Sequence, residues 1–108
     1  MELRTLRYFL AVAQEENITR AADVLHVTQP TLSRQIMDLE RELGTTLMLR
    51  GKNGLTLTDD GIFFRQRAEE IVELAGRLER AFVEKNKESP PLPKRSLGRT
   101  PAGRPPVG

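Results

Sequence analysis

The chain has 108 residues, a formal net charge of +2 and no cysteine, which bounds it to one domain with a tail and excludes a disulfide framework or a thiolate metal site. Its one histidine, His26, excludes any site that needs two. The apolar runs are only a few residues long and no signal peptide begins the chain, so a cytoplasmic protein without a membrane span is expected.

The first helix is predicted over residues 2–16, where Leu6, Phe9, Leu10 and Ala13 repeat at helical spacing on one face. Asn17-Ile18-Thr19 breaks the pattern, and Thr19 is a suitable cap for a short second helix with Ala22 and Leu25 facing inward. His26-Val27 makes a tight turn. Thr28 is a good N-cap for a third helix, with Pro30 in the first turn, where a missing N–H costs little. Leu32, Ile36, Leu39 and Leu43 form its buried stripe, and Gly44 ends it. Leu47-Met48-Leu49 and Leu55-Thr56-Leu57 then read as two short strands around Gly51-Lys52-Asn53-Gly54, where Asn-Gly is a strong hairpin signal.

Thr58-Asp59-Asp60 starts a fourth helix, a hydroxyl cap followed by carboxylates at the positive end of the dipole. From there Phe64, Ala68, Ile71, Ala75, Leu78 and Phe82 form a heptad seam running almost to Lys87. Three short helices cannot cover so long a seam, so part of it is expected to pack on a second copy. Residues 88–108 carry six of the seven prolines and three glycines, the composition of a disordered tail. The tail also carries the charge. Residues 1–87 hold 13 Lys+Arg against 14 Asp+Glu, a balance of −1, whereas 88–108 hold Lys94, Arg95, Arg99 and Arg104 against Glu88, a balance of +3. A nucleic-acid face must therefore be local rather than a consequence of overall charge.

Such a face is present at the start of the third helix. Gln29, Thr31, Ser33, Arg34 and Gln35 stand there, and the first acidic residue, Asp38, comes later. Glutamine pairs with adenine, arginine with guanine, and serine or threonine with either, while a carboxylate would be repelled by phosphate. Two helices joined by a tight turn, over about residues 18–37, fit a helix-turn-helix whose second helix enters the major groove. On this spacing alone a plain capped helix fits as well. The hairpin adds weight, because Arg50, Lys52 and Asn53 at or near its tip suit a wing that touches backbone or minor groove. His26, Ser33 and the Asp59-Asp60 pair lack the partners of a catalytic or metal site, so no enzyme, metal or cofactor is expected.

The stretch "FLAVAQEENITRAADVLHVTQPTLSRQIMDLERELGTTLMLR", followed by "LTLTDDG", resembles the N-terminal domain of LysR-type transcriptional regulators. Matching positions include Ala21-Ala22, Leu25, Gln29 to Ser33, Gln35-Ile36, Leu39-Glu40, Leu43-Gly44, Leu47, Arg50, Leu57-Thr58 and Gly61. The resemblance implies a mainly α fold: a winged helix-turn-helix of three helices and a two-stranded wing over 1–58, then a dimerising linker helix over 59–87. It implies that Gln29, Pro30, Thr31, Ser33 and Arg34 meet bases or phosphates in the major groove of promoter DNA. Thr28 and Arg4 would lie near the backbone, and Arg50 to Asn53 would approach the minor groove. It further implies a homodimer that pairs into tetramers.

Some positions depart from the family pattern. Met48 stands where an aromatic is frequent, Asn53 where a basic residue is common, and Glu16-Asn17 where glycine and serine often precede the second helix. The family's effector-binding domain has no counterpart in 88–108, so truncation is expected and no small-molecule effector. The favoured function is specific DNA binding as a dimer. The alternative is an interaction module that forms mixed dimers with a full-length regulator and disables it.

Overall fold

In the computed structural model, which describes residues 1–88, the order is α1 (Leu3–Glu15), α2 (Ile18–Leu25), α3 (Gln29–Leu43), β1 (Met48–Gly51), β2 (Gly54–Leu57) and α4 (Asp59–Glu88). The expected mainly helical, winged helix-turn-helix architecture is the one found. The expected tail lies outside the described residues, apart from Glu88 at the end of α4. The chain divides into two units, Met1–Ala75 and Gly76 onward. The first unit thus extends beyond the wing and takes in the first half of α4.

The three short helices close around Phe9, Val12, Leu32 and Leu39, joined by Leu47 and Met48 from the approach to the wing. Fully burying a side chain of this size contributes about 1.5–3 kcal/mol. Met48 fills a core position with its flexible thioether, as expected of a residue that adapts to irregular gaps. Leu43, expected on the buried stripe of α3, is instead 40% exposed. It is the last residue of the helix, where the core-facing stripe has run past the packed partners.

The helix ends follow local chemistry. Asn17, rather than Thr19, caps α2: its side-chain oxygen accepts from Arg20 N at 2.8 Å. Helix α1 closes on Glu16 in the left-handed region at φ 55°, and α2 closes on His26 at φ 60°. Gly44 ends α3 at φ 72°, with Gly44 N and Thr45 N both donating to Glu40 O, at 2.8 and 3.1 Å. Thr58 caps α4 by accepting from Gly61 N at 3.0 Å while donating to Thr46 O at 2.7 Å.

The two strands pair antiparallel, Met48 with Leu57 through to Gly51 with Gly54, so Lys52 and Asn53 form the tip. Both tip residues keep negative φ and the positive value, 109°, falls on Gly54. The hairpin lies where Asn-Gly placed it, but its tip is not the mirror-image turn that sequence most favours. Gly54 is needed for a second reason: a Cβ there would stand 2.9 Å from Glu16 O, on the α1–α2 turn against which Leu55 N donates at 3.3 Å.

On α4 the expected seam divides. Phe64 sets its ring edge-on against Phe9, with centroids 4.9 Å apart and planes at 78°, and Ala68 is buried. Both pack within their own unit, so this part of the expected seam Phe64 to Phe82 is taken up by the core of the same chain. An aromatic one turn into α4 is long enough to reach the core, which the heptad spacing cannot reveal. Ile71 is exposed and Ala75 half-buried at the end of this unit, where Ile62, Phe63 and Leu74 are exposed as well. In the second unit Leu78, Phe82 and Val83 are exposed. No helix of the described residues is long and apolar enough to cross a membrane.

Two substitutions probe this backbone. A Cβ at buried Gly61 would overlap the Leu47 carbonyl oxygen. Gly61→Ala is therefore expected to cost about 1–3 kcal/mol, seen in thermal unfolding as a drop of roughly 4–8 °C per kcal/mol. Glu16→Gly is expected to act in the opposite direction. Relief of the left-handed strain should raise the melting midpoint by the equivalent of about 0.5–1 kcal/mol, and an unchanged or lower midpoint would show that Glu16 carries no strain.

Candidate nucleic-acid interface

The N-terminal half of α3 has no acidic residue in its first turn, and its start is fixed by a pair of hydroxyls. Thr28 Oγ1 accepts from Thr31 N at 3.2 Å and donates to Thr31 Oγ1 at 2.8 Å. The Thr28 hydroxyl is thus held by the cap, and the Thr31 hydroxyl that pairs with it stands at an exposed position. Pro30 follows in the first turn, where its ring needs no partner. Gln29, Pro30, Thr31 and Arg34 are exposed, and the Gln29 and Arg34 side chains hold no hydrogen bond among the described residues. Leu32 and Ile36 on the opposite face anchor the helix in the core.

The wing reaches α3 at two levels. At the far end of the helix, Glu40 Oε2 accepts from Leu47 N at 2.7 Å and from Met48 N at 3.2 Å, so one carboxylate ties α3 to the start of β1. Nearer the start of the helix, the Arg50 guanidinium donates to Ser33 Oγ at 3.0 Å. Sequence reasoning put Arg50 with the tip facing the minor groove. The structure has it in β1, opposite Leu55, with its side chain turned to α3. Lys52 and Asn53 remain exposed at the tip.

Arg4 stands apart from this set. It ion-pairs with Glu2 at 3.2 Å, and the neighbouring amino terminus pairs with Glu42 in the last turn of α3, at 2.9 Å. Among the described residues nothing links Arg4 to the first turns of α3.

Sequence reasoning overlooked Met37. It is 55% exposed on the outer face of α3, in a shallow groove with Pro30, Ser33, Arg34, Asp38 and Arg41. An apolar side chain offered there suits contact with a thymine methyl. The available signal was an apolar residue standing off the buried stripe, beside Ile36. In the same groove Asp38 and Arg41 pair at 2.7 Å, which neutralises the acidic group closest to the first turns of α3.

A family model described as bacterial regulatory helix-turn-helix protein, lysR family, matches residues 3–62, more than half of the chain. This chain belongs to the LysR family. Among its LysR relatives, the transcriptional regulator BsdA of Bacillus subtilis is 49% identical over 85 residues, covering 78% of this chain and 28% of that protein. BenM of Acinetobacter baylyi is 54% identical over 68 residues, covering 63% and 22%. The chain therefore spans about a quarter of the length of these LysR regulators. Among solved structures, the BenM DBD–catB site 1 DNA complex superposes with a TM-score of 0.76 at 42% identity, covering 82% of this chain and 99% of that one. The CbnR DBD–DNA complex gives 0.72 at 44% identity, covering 79% and 99%. The match to whole DBD chains confirms the LysR-type winged helix-turn-helix fold.

If Glu40 fixes the wing, its removal should be felt well beyond its own side chain. Glu40→Ala leaves two part-buried amides unpaired and is expected to cost about 1–3 kcal/mol. Hydrogen exchange should locate the loss at Leu47 and Met48, and unchanged protection there would show that the carboxylate is dispensable.

Proposed function

We propose that this chain reads specific sequences in promoter DNA, as a dimer, with the N-terminal half of α3 in the major groove and the wing tip at the backbone or minor groove. The observation that carries this reading is the exposed polar set Gln29, Thr31 and Arg34, displayed on a helix start without a carboxylate. Gln29 and Arg34 offer the bidentate geometries that suit adenine and guanine, Thr31 an outward hydroxyl, and Ser33 a partly exposed one. Pro30 shapes the approach to the groove. Thr28 acts through the cap, and Arg4 is left as a phosphate contact at the edge of the footprint. Lys52 supplies a point charge to a phosphate, and Asn53 a polar contact at the wing tip. The DNA complexes solved for the related BenM and CbnR domains support the same use of this fold.

The dimer rests on the exposed apolar side chains of α4. Ile71 and Ala75 end the first unit, and Leu78 and Phe82 belong to the second. Burying Leu78 and Phe82 against a second copy would remove large apolar groups from water. A two-fold dimer calls for half-sites one helical turn, about 34 Å, or a multiple apart. Pairing of dimers into tetramers is a further step of the same reading, as is a cytoplasmic location. The same exposed side chains favour a second reading, in which the chain forms mixed dimers with a full-length relative and inhibits it. Replacing both Ser33 and Arg34 by alanine separates the two: inhibition that survives loss of DNA binding supports the mixed dimer.

Selection of host genomic fragments by the purified chain, at near-physiological salt, tests the main reading. Recovery of sites sharing an inverted repeat is the expected result, and fragments with no common pattern would overturn it. On a selected site, Arg34→Ala should cost about 1–3 kcal/mol and relax preference at one base. Lys52→Ala should weaken all sequences alike and reduce the slope of log K against log salt by about one. Quantitative binding titrations at several salt concentrations check both.

A further inference from the structure

The bond between Arg50 and Ser33 fixes more than the position of the wing. A guanidinium carries only donors, so at 3.0 Å the Ser33 oxygen must be the acceptor. Ser33 has one proton and two lone pairs, and one lone pair is now engaged by a cation. Its proton finds no acceptor among the described residues. A hydroxyl polarised in this way becomes a better donor and a poorer acceptor toward any third group. Unassisted serine reads either kind of base edge, because it can rotate to give or to accept.

We propose that Arg50 is a positioning residue for base reading: it turns the Ser33 hydroxyl into a one-way donor, aimed at acceptor atoms of the major groove. Guanine O6 and N7, adenine N7 and thymine O4 meet this demand, while the amino group that cytosine displays does not. The adjacent guanidinium charge reinforces the choice, since it favours the doubly accepting guanine edge and disfavours a base amino group. Specificity at one base of each half-site is thus set by a residue on the wing that does not itself touch the base. This inference rests on the DNA-reading function proposed above.

The test uses the full chain and the operator that it selects. Ser33→Ala identifies the base read by Ser33 as the position where preference flattens. Arg50→Met is expected to flatten the same position, raising tolerance of cytosine there by roughly three- to tenfold. The double variant should lose no more than Ser33→Ala alone. The salt slope should be unchanged in Arg50→Met, because no phosphate contact is lost. Arg50→Lys keeps a charged donor and should restore part of the preference. Arg50 is exposed, so the melting midpoints of both variants should stay near that of the parent chain. The proposal is overturned if Arg50→Met weakens every sequence equally with a salt slope lower by about one, the behaviour of a phosphate contact. It is also overturned if Arg50→Met and Ser33→Ala flatten different positions, or if their effects add. A selected inverted repeat leaves the DNA-reading function standing whatever the Arg50 variants do. The absence of any selected pattern removes both.

Discussion

The carboxylate of Glu40 is the interaction on which the arrangement depends. It sits on α3 one turn from the helix end and accepts both amides at the entry to the wing, Leu47 N and Met48 N. Those amides belong to a segment entering a two-stranded ribbon, which has little stability of its own. Fixing that entry places Leu47 and Met48 in the core and sets the direction in which β1 leaves. Arg50 then comes within reach of Ser33, and Gly51 to Gly54 turns the chain back along α1. The start of α4 completes the strap, with Thr58 N donating to Leu47 O and the Thr58 hydroxyl to Thr46 O. One side chain thereby ties the entry of the wing to α3.

Much of this was legible in the sequence because local chemistry decided it. The caps at Thr28, Gly44 and Thr58, the helical spacing of Leu32, Ile36 and Leu39, and the Asn-Gly hairpin are each signals a few residues long. Choices between near-equivalents were less legible. Asn17 and Thr19 both make acceptable caps, and the helix starts two residues earlier, on Asn17. The heptad on α4 is a one-dimensional pattern. It cannot tell a side chain facing its own core from one facing outward, and so it merged Phe64 and Ala68 with Leu78 and Phe82. The contact between Arg50 and Ser33 joins residues 17 apart in sequence and depends on the wing's final direction, which no local signal encodes.

The same distinction applies to the candidate interface. Gln29, Thr31 and Arg34 were identifiable because a threonine cap and Pro30 mark the helix start and hydrogen-bonding side chains cluster on the turns that follow, and the structure leaves all three exposed. Met37 was overlooked because an apolar residue beside Ile36 looks like more core, although it stands off the buried stripe. Arg4 was carried over from family resemblance alone, and its partner here is Glu2. Ser33 is half-buried between the helix and the wing, so its chemistry is shared with a residue that resemblance placed elsewhere.

The cap of α3 also determines how the helix can be anchored. Pro30 has no amide, Thr31 N is held by Thr28 Oγ1, and Leu32 N is held by Thr28 O. That leaves Gln29 N as the one first-turn amide without an acceptor among the described residues. A helix start that exposes several free amides grips a phosphate through its main chain, in a manner no substitution can alter. Here the main chain is nearly sealed against such a grip, so on the proposed reading registration along a duplex falls to side chains. Main-chain anchoring would freeze the docking pose across descendants. On the proposed reading, side-chain anchoring leaves it open to change, so exchanges at the exposed Gln29 and Arg34 would retarget the domain while its scaffold stays untouched.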